Sequence, residues 1–254
     1  MSPTMATSAL SAQELKRLNV RFADAHPTEI IRWAVETFRP DVAITASFGT
    51  DSAAILHMAV QVEPRISVRT VDTGFLFPET LQHMDRLRRL LNLNLTVTRT
   101  RLDEVTIARL AREHAAGQPI DDRYCCGEYK QEAAERALAG VRCWIVGLMR
   151  EEAITRRDTP FVDVLTNGIT KVAPIAAWTS QRLHAYMQQH GLPSHPLWAQ
   201  GYTSIGCALH TQKPIDPNDP RSGRWAGQGK TECGIHDIGK PPAKSKPDGL
   251  SIAD

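Results

Sequence analysis

DVAITASFGTDSAAILHMAVQ, residues 41–61, reads as a strand, a tight loop and a helix in immediate succession. The apolar run from Val42 is short and bounded by turn formers, which suits a buried strand. From Ser52 onward apolar residues return at helical spacing. Between them lies SFGTDS, Ser47 to Ser52, a loop that leaves a strand's carboxyl end and feeds a helix N-terminus. In an open parallel sheet ligands bind at such ends, and free N–H groups at a helix start favour anions. Taken alone, the loop is equally compatible with an ordinary strand-to-helix turn.

The same alternation extends both ways. TEIIRWAVETF (28–38) has the spacing of a helix, and RISVRTVDT (65–73) that of a second strand. PETLQHMDRLRRLLN (78–92) starts a helix at Pro78, where a missing N–H costs nothing. LNLTVTRT (93–100) and RCWIVGLM (142–149) complete the expected buried strands, with helices DEVTIARLAREHAA (103–116) and EYKQEAAERALA (128–139) between them. TKVAPIAAW (170–178) adds a shorter strand, and SQRLHAYMQQHG (180–191) a last helix closed by Gly191. This pattern predicts an α/β fold, a doubly wound and mostly parallel sheet with helices on both faces.

Beyond residue 192 the periodicity ends. IDPNDPRSGRWAGQGK (215–230) carries turn formers at nearly every step, and the final stretch has the composition of a disordered end. The expected organisation is a variable segment 1–27, a nucleotide-binding α/β domain 28–200, a flexible C-terminal arm 201–238 and a disordered tail 239–254.

Composition sets the outer limits. The 254 residues are 42% hydrophobic with a formal net charge of +2, which gives no bulk attraction to nucleic acid or membrane. No apolar run is long enough to span a bilayer, and the start lacks the basic-then-apolar order of a secretory signal. A soluble cytoplasmic protein is expected. Five cysteines, with Cys125 and Cys126 adjacent, make a secreted disulfide framework a poor reading. Cys143, in a strand pattern, is expected in the core.

Three further motifs narrow the field. VDTGFLFPET (71–80) ends the second strand with Asp72, Thr73 and Gly74; GLMREEAITRRD (147–158) follows the fourth; TECGIH (231–236) sits on the arm. With SFG at 47–49, these resemble the motifs of the sulfonucleotide reductases, the assimilatory adenylyl-sulfate and 3′-phosphoadenylyl-sulfate reductases, over residues 28–236. The sheet that the resemblance implies is that of the adenine nucleotide alpha hydrolase-like (PP-loop) type. Its phosphate loop usually reads S-G-G-x-D-S. Phe48 replaces the first of the two glycines, and its bulk is expected to keep a triphosphate off the backbone.

The resemblance implies reduction of adenylyl sulfate to sulfite and AMP through a cysteine S-sulfonate on Cys233. Thioredoxin or glutaredoxin then serves as reductant. It assigns substrate contacts to Ser47, Gly49, Asp72, Thr73, Gly74, Lys130, Gly147, Arg157, Arg221 and Arg224, and a substrate or partner role to His236. A nucleophilic thiol needs exposure and nearby positive charge. A tethered arm supplies the first, and Lys130, Arg221 and Arg224 the second. Glu232 beside Cys233 works the other way. A free thiol on a loose tail is the plain alternative.

Adenylyl-sulfate reductases of the cluster type hold [4Fe-4S] with Cys-Cys and Cys-x-x-Cys. Cys125, Cys126 and Cys207 match, whereas His210 stands at the fourth position. A Cys₃His cluster, a labile cluster and no cluster all stay open. Zinc is the weaker option, because vicinal cysteines seldom wrap one tetrahedral ion. Three matches of four lean toward adenylyl sulfate over its 3′-phosphorylated form. A homo-oligomer is compatible with the sequence. The rivals are an ATP-dependent PP-loop sulfur transferase or adenylyltransferase, and a non-catalytic nucleotide- or metal-binding module.

Overall fold

The computed structural model describes residues 10–228 and 230–239, without the side chains of His236 and Asp237. Six strands form one sheet: β1 Val42–Thr45, β2 Ser67–Asp72, β3 Asn94–Arg99, β4 Cys143–Val146, β5 Val162–Val164 and β6 Thr170–Val172. Their order is β3-β2-β1-β4-β6-β5, parallel throughout except that β5 runs antiparallel to β6. The helices are α1 Ala12–Arg21, α2 Pro27–Phe38, α3 Ser52–Val62, α4 Pro78–Leu90, α5 Glu104–Ala115, α6 Glu128–Ala137 and α7 Ser180–Gln189. The doubly wound α/β architecture is the one expected.

Successive strands run outward from β1 to β3 on one side, and the chain then returns to place β4 on the other side of β1. Strand order therefore reverses at β1, which opens a crevice at the carboxyl ends of β1, β2 and β4. Central strands need apolar side chains on both faces. Accordingly β4 is buried at all four positions, and the Trp144 indole N–H donates to Thr45 Oγ1 at 2.8 Å. Cys143 is fully buried, as expected.

Three features differ from the sequence reading. β3 is largely exposed, because it is an edge strand paired only with β2. β5 went unread: three residues are too few for a period, and its partner β6 folds back through Gly168 at φ +84°. α1 lies in the segment read as variable. Its Ser11–Glu14 capping box was legible, and Asn19 ties it to β5 through the Val162 carbonyl at 2.8 Å.

Among the described residues the arm has no α-helix or strand, only short 3-10 turns at Ala208–His210 and Gly234–Asp237, yet it is packed. Leu209, Trp225 and Ile238 are buried, and the Gly239 carbonyl accepts from Thr166 N at 3.0 Å. Isolated anchors do here what periodicity does elsewhere, and single residues leave no repeating signal. Apart from Gly239, the tail 239–254 lies outside the described residues, as do residues 1–9.

Candidate functional site

A cavity of about 550 Å³ occupies the crevice at the strand ends. Its floor is the loop after β1. α3 starts beneath it with Asp51 as N-cap, whose side chain makes no capping bond, and both Asp51 and Ser52 line the cavity, which places the positive end of the helix dipole at its floor. Gly49 is closely packed: a Cβ there would lie 3.3 Å from the Ile205 carbonyl oxygen, so the neighbouring loop would have to give by a few tenths of an ångström. Ser47 and Gly49 both line the cavity.

Phe48 corrects one expectation. It adopts φ +54°, the left-handed region that glycine tolerates best, but its side chain is 1% exposed and packs in the core. It is not part of the cavity wall, so its bulk excludes nothing there. The rival nucleotide-triphosphate reading has to be judged on the rest of the site.

Of the three residues ending β2, Thr73 alone lines the cavity. Asp72 instead shapes the turn: its Oδ1 accepts from Gly74 N at 2.9 Å. Gly74 has φ +81° and faces α5 so closely that a Cβ would lie 2.6 Å from Ile107 Cδ1. Gly147, which follows β4, lines the cavity. Arg157 does not; it is exposed on the surface, whereas its neighbour Arg156 is buried and lines the wall. The Ile154–Arg156 turn decides which of two adjacent arginines points inward, and the sequence TRRD carries no sign of that choice.

The roof comes from the arm. Arg221, Arg224, Trp225, Glu232 and Cys233 all face the cavity. The Arg224 guanidinium lies 4.4 Å from the Trp225 ring centre and presses against Gly206, where a Cβ would sit 2.2 Å from its Nη1. Arg224 Nε is buried with no hydrogen-bond partner. Buried polar atoms are nearly always paired, so this donor is an exception in the packing behind the cavity wall, while the residue itself lines the cavity.

Glu232 belongs to an ion network that sequence reasoning only partly saw. Arg156 donates to it from Nε at 2.6 Å and Nη2 at 2.7 Å, Thr155 at 3.0 Å, and Arg221 at 3.4 Å. Arg156 also pairs with Glu152. Burial works to raise the Glu232 carboxyl, but the Arg156 contacts outweigh it and leave it below the usual carboxylate range. Its charge is thus held by arginines, not aimed at Cys233. Burial, then the Glu152 carboxylate, pushes Asp51 up to about 8. Burial lowers Arg221, with Arg156 adding to the effect.

Cys233 rests between Lys130 and Cys126. The Cys126 contact raises its pKa first, burial second, and Lys130 pulls against both, leaving it near about 12. Burial works to lower the Lys130 ammonium, yet Cys233 and the neighbouring thiols keep it raised. His236 falls in the short turn Gly234–Asp237, and its side chain lies outside the described residues.

Cys125, Cys126, Cys207 and His210 converge behind Cys233, all buried, with donor atoms within 4.8 Å of one another. Cys125 Sγ lies 3.0 Å from His210 Nδ1 and 3.6 Å from Cys126 Sγ. Cys207 Sγ lies 3.8 Å from Cys126 Sγ and 3.6 Å from His210 Nδ1. The four residues form a group able to hold a metal. The spacing does not fit a four-iron cube, whose four ligands each sit on a separate iron and cannot crowd into one coordination shell. Hydrogen bonds with Cys125 draw Cys126 down to about 5, while His210, opposed by burial, rises to about 10 through Cys126 and Cys207. A metal would displace those shared protons.

Comparison with known proteins agrees with this arrangement. Residues 41–213 match the Phosphoadenosine phosphosulfate reductase domain family. The chain is 37% identical to the adenosine 5′-phosphosulfate reductase of Streptomyces coelicolor, covering 89% of this chain and 96% of that protein. It is also 37% identical to the phosphoadenosine 5′-phosphosulfate reductase of Gloeobacter violaceus, covering 92% and 97%. The crystal structure of phosphoadenylyl-sulfate reductase from Candida auris superposes with TM-score 0.69 at 26% identity, over 80% of this chain and 98% of that one. The chain therefore belongs to the sulfonucleotide reductase family, the group of phosphoadenosine and adenosine phosphosulfate reductases.

Proposed function

We propose that the chain reduces adenylyl sulfate to sulfite and AMP with Cys233 as nucleophile. One observation carries the reading: Cys233, Lys130, Arg221 and Arg224 face a single cavity whose floor is a helix N-terminus. Anionic oxygens suit that floor and the forked guanidinium groups of Arg221 and Arg224, both of which line the cavity.

The Cys233 thiolate attacks the sulfur of the sulfate group. The bond from that sulfur to the bridging oxygen breaks, and AMP leaves with the electron pair. The enzyme keeps a cysteine S-sulfonate. A dithiol protein, thioredoxin or glutaredoxin, attacks the Cys233 sulfur and releases sulfite; its second thiol then resolves the mixed disulfide and returns Cys233 as a thiol. Lys130 stands beside the attacking sulfur and opposes the Cys126 contact and the burial that keep Cys233 protonated at rest, so the attack draws on the minor thiolate form that Lys130 favours. For the protein reductant to reach the adduct, residues 230–238 swing outward, breaking the Glu232 ion pairs and the Gly234 contact with Cys126.

No step runs through a [4Fe-4S] cluster, because the donor atoms stand too close together for one. Among the described residues no helix is long and apolar enough to cross a membrane. A reducing cytoplasm suits an enzyme whose thiols must stay free.

The test is mass spectrometry after incubation with adenylyl sulfate or its 3′-phosphorylated form, without reductant. A sulfonate on Cys233, faster with adenylyl sulfate, is expected. A sulfonate on another cysteine, or none with either nucleotide, overturns the mechanism; faster labelling by the 3′-phosphorylated form overturns the substrate preference alone.

A further inference from the structure

We propose that Cys125, Cys126, Cys207 and His210 bind one tetrahedral divalent metal ion of the zinc class in place of a four-iron cluster. The donor separations of 3.0 to 3.8 Å among the hydrogen-bonded pairs are those of a single coordination shell. Bonds of about 2.3 Å to sulfur and 2.0 Å to nitrogen put tetrahedral ligands about 3.5–3.8 Å apart. Even the widest pair, within 4.8 Å, falls short of the spread a cube needs. A set of three thiolates and one imidazole in tetrahedral array suits zinc.

Backbone geometry explains how adjacent cysteines manage this. They follow a 3-10 turn at Asp122–Tyr124, and the Cys126 and Gly127 N–H groups both donate to the Asp122 carbonyl, at 2.9 and 2.8 Å. The tightened loop brings both sulfurs to one side. Cys207 caps and His210 ends the 3-10 turn Ala208–His210, where residues three apart lie on the same face.

The surroundings are those of a ligated metal. His210 Nε2 lies 3.4 Å from Asp122 Oδ1, so the carboxylate holds the far ring proton and leaves Nδ1 toward the thiols. Asp122 is itself fixed by Lys230 Nζ at 2.7 Å. The Trp225 indole N–H donates to Cys126 Sγ at 3.4 Å. Three thiolates, a neutral imidazole and a divalent ion leave one net negative charge, with Lys130 and Lys230 nearby to offset it. The metal then ties the 122–127 loop to the arm at 207–210, beneath the backbone seat of Cys233.

The test uses the full chain purified without oxygen, assayed for zinc, iron and acid-labile sulfide, then stripped and titrated with cobalt(II). One metal per chain without sulfide is expected, with cobalt giving the intense visible bands of a tetrahedral thiolate site. Asp122→Asn should keep the band pattern and weaken cobalt affinity about tenfold. About four irons with matching sulfide per chain overturns the assignment, as does cobalt binding without tetrahedral bands. Metal identity and the role of Cys233 are separable: iron and sulfide together with a Cys233 sulfonate removes only the zinc assignment, whereas one zinc with no sulfonate removes only the mechanism.

Discussion

The Gly234 N–H donates to the Cys126 carbonyl at 3.1 Å, and a Cβ at Gly234 would lie 2.6 Å from that same oxygen. The residue after the candidate nucleophile is thus seated on the backbone of the metal-binding loop. Gln131 Nε2 closes the seat from the other side, donating to the Gly234 carbonyl at 3.3 Å. Lys130 and Gln131 are neighbours on α6, so one helix turn both holds the arm down and sets the cation beside its sulfur.

Gly234→Ala should lift Cys233 away from Lys130. Misplacement of a reacting group by about 1 Å costs on the order of 100-fold in rate. Sulfite formation is expected to fall by roughly that factor, with nucleotide affinity and melting temperature little changed. An unchanged turnover number would show that the seat does not position the thiol.

Arg224→Ala should weaken nucleotide binding far more than it lowers the melting temperature. Charge-assisted hydrogen bonds contribute about 1.5–3 kcal/mol, or roughly 10–100-fold in affinity. Lysine should restore little, since it lacks the planar fork that lies between Gly206 and Trp225. Calorimetric titration with AMP and adenylyl sulfate checks both variants.

The ion network at Glu232 predicts a pH dependence. Its folded pKa is depressed below the ordinary 4.5, so its contribution is fully present above that value and is lost as pH falls through the folded value. Glu232→Gln should therefore lower the melting temperature most above about pH 5, and the gap from wild type should close on acidification. A gap that widens in acid would contradict the Arg156 pairing.

Phe48 offers a test of backbone against side chain. Truncating a buried phenylalanine costs about 3–5 kcal/mol, and the left-handed backbone costs a non-glycine residue about 1 kcal/mol. Phe48→Gly should therefore be less destabilising than Phe48→Ala, the reverse of the usual order. Denaturant unfolding of the two variants decides it, and alanine as the better substitute would refute the strain at φ +54°.

The central strands and their helices were legible because each repeats a physical requirement along the chain. β1 and β4 must be apolar on both faces, and α2, α3, α4 and α7 each bury a face against the rest of the fold. The motifs at Ser47, Thr73 and Gly147 were legible for a related reason, since strand ends in a parallel sheet collect at one edge and their loops share a crevice, whereas Cys233 was legible only through the resemblance of TECGIH.

What stayed hidden depends on contacts between distant residues. Whether Arg156 or Arg157 faces the cavity rests on the phase of a three-residue turn, and the burial of Phe48 on a backbone angle. Residue order by itself determined the central strands, their helices and the residue types that chemistry at that edge requires, since periodicity is a local property. Tertiary structure alone decided that an aperiodic arm packs as a roof, that Glu232 is neutralised by arginines, and that three thiols and an imidazole close to single-ion spacing. Those outcomes are set by distances of a few ångströms between segments far apart in the chain, which no local pattern encodes.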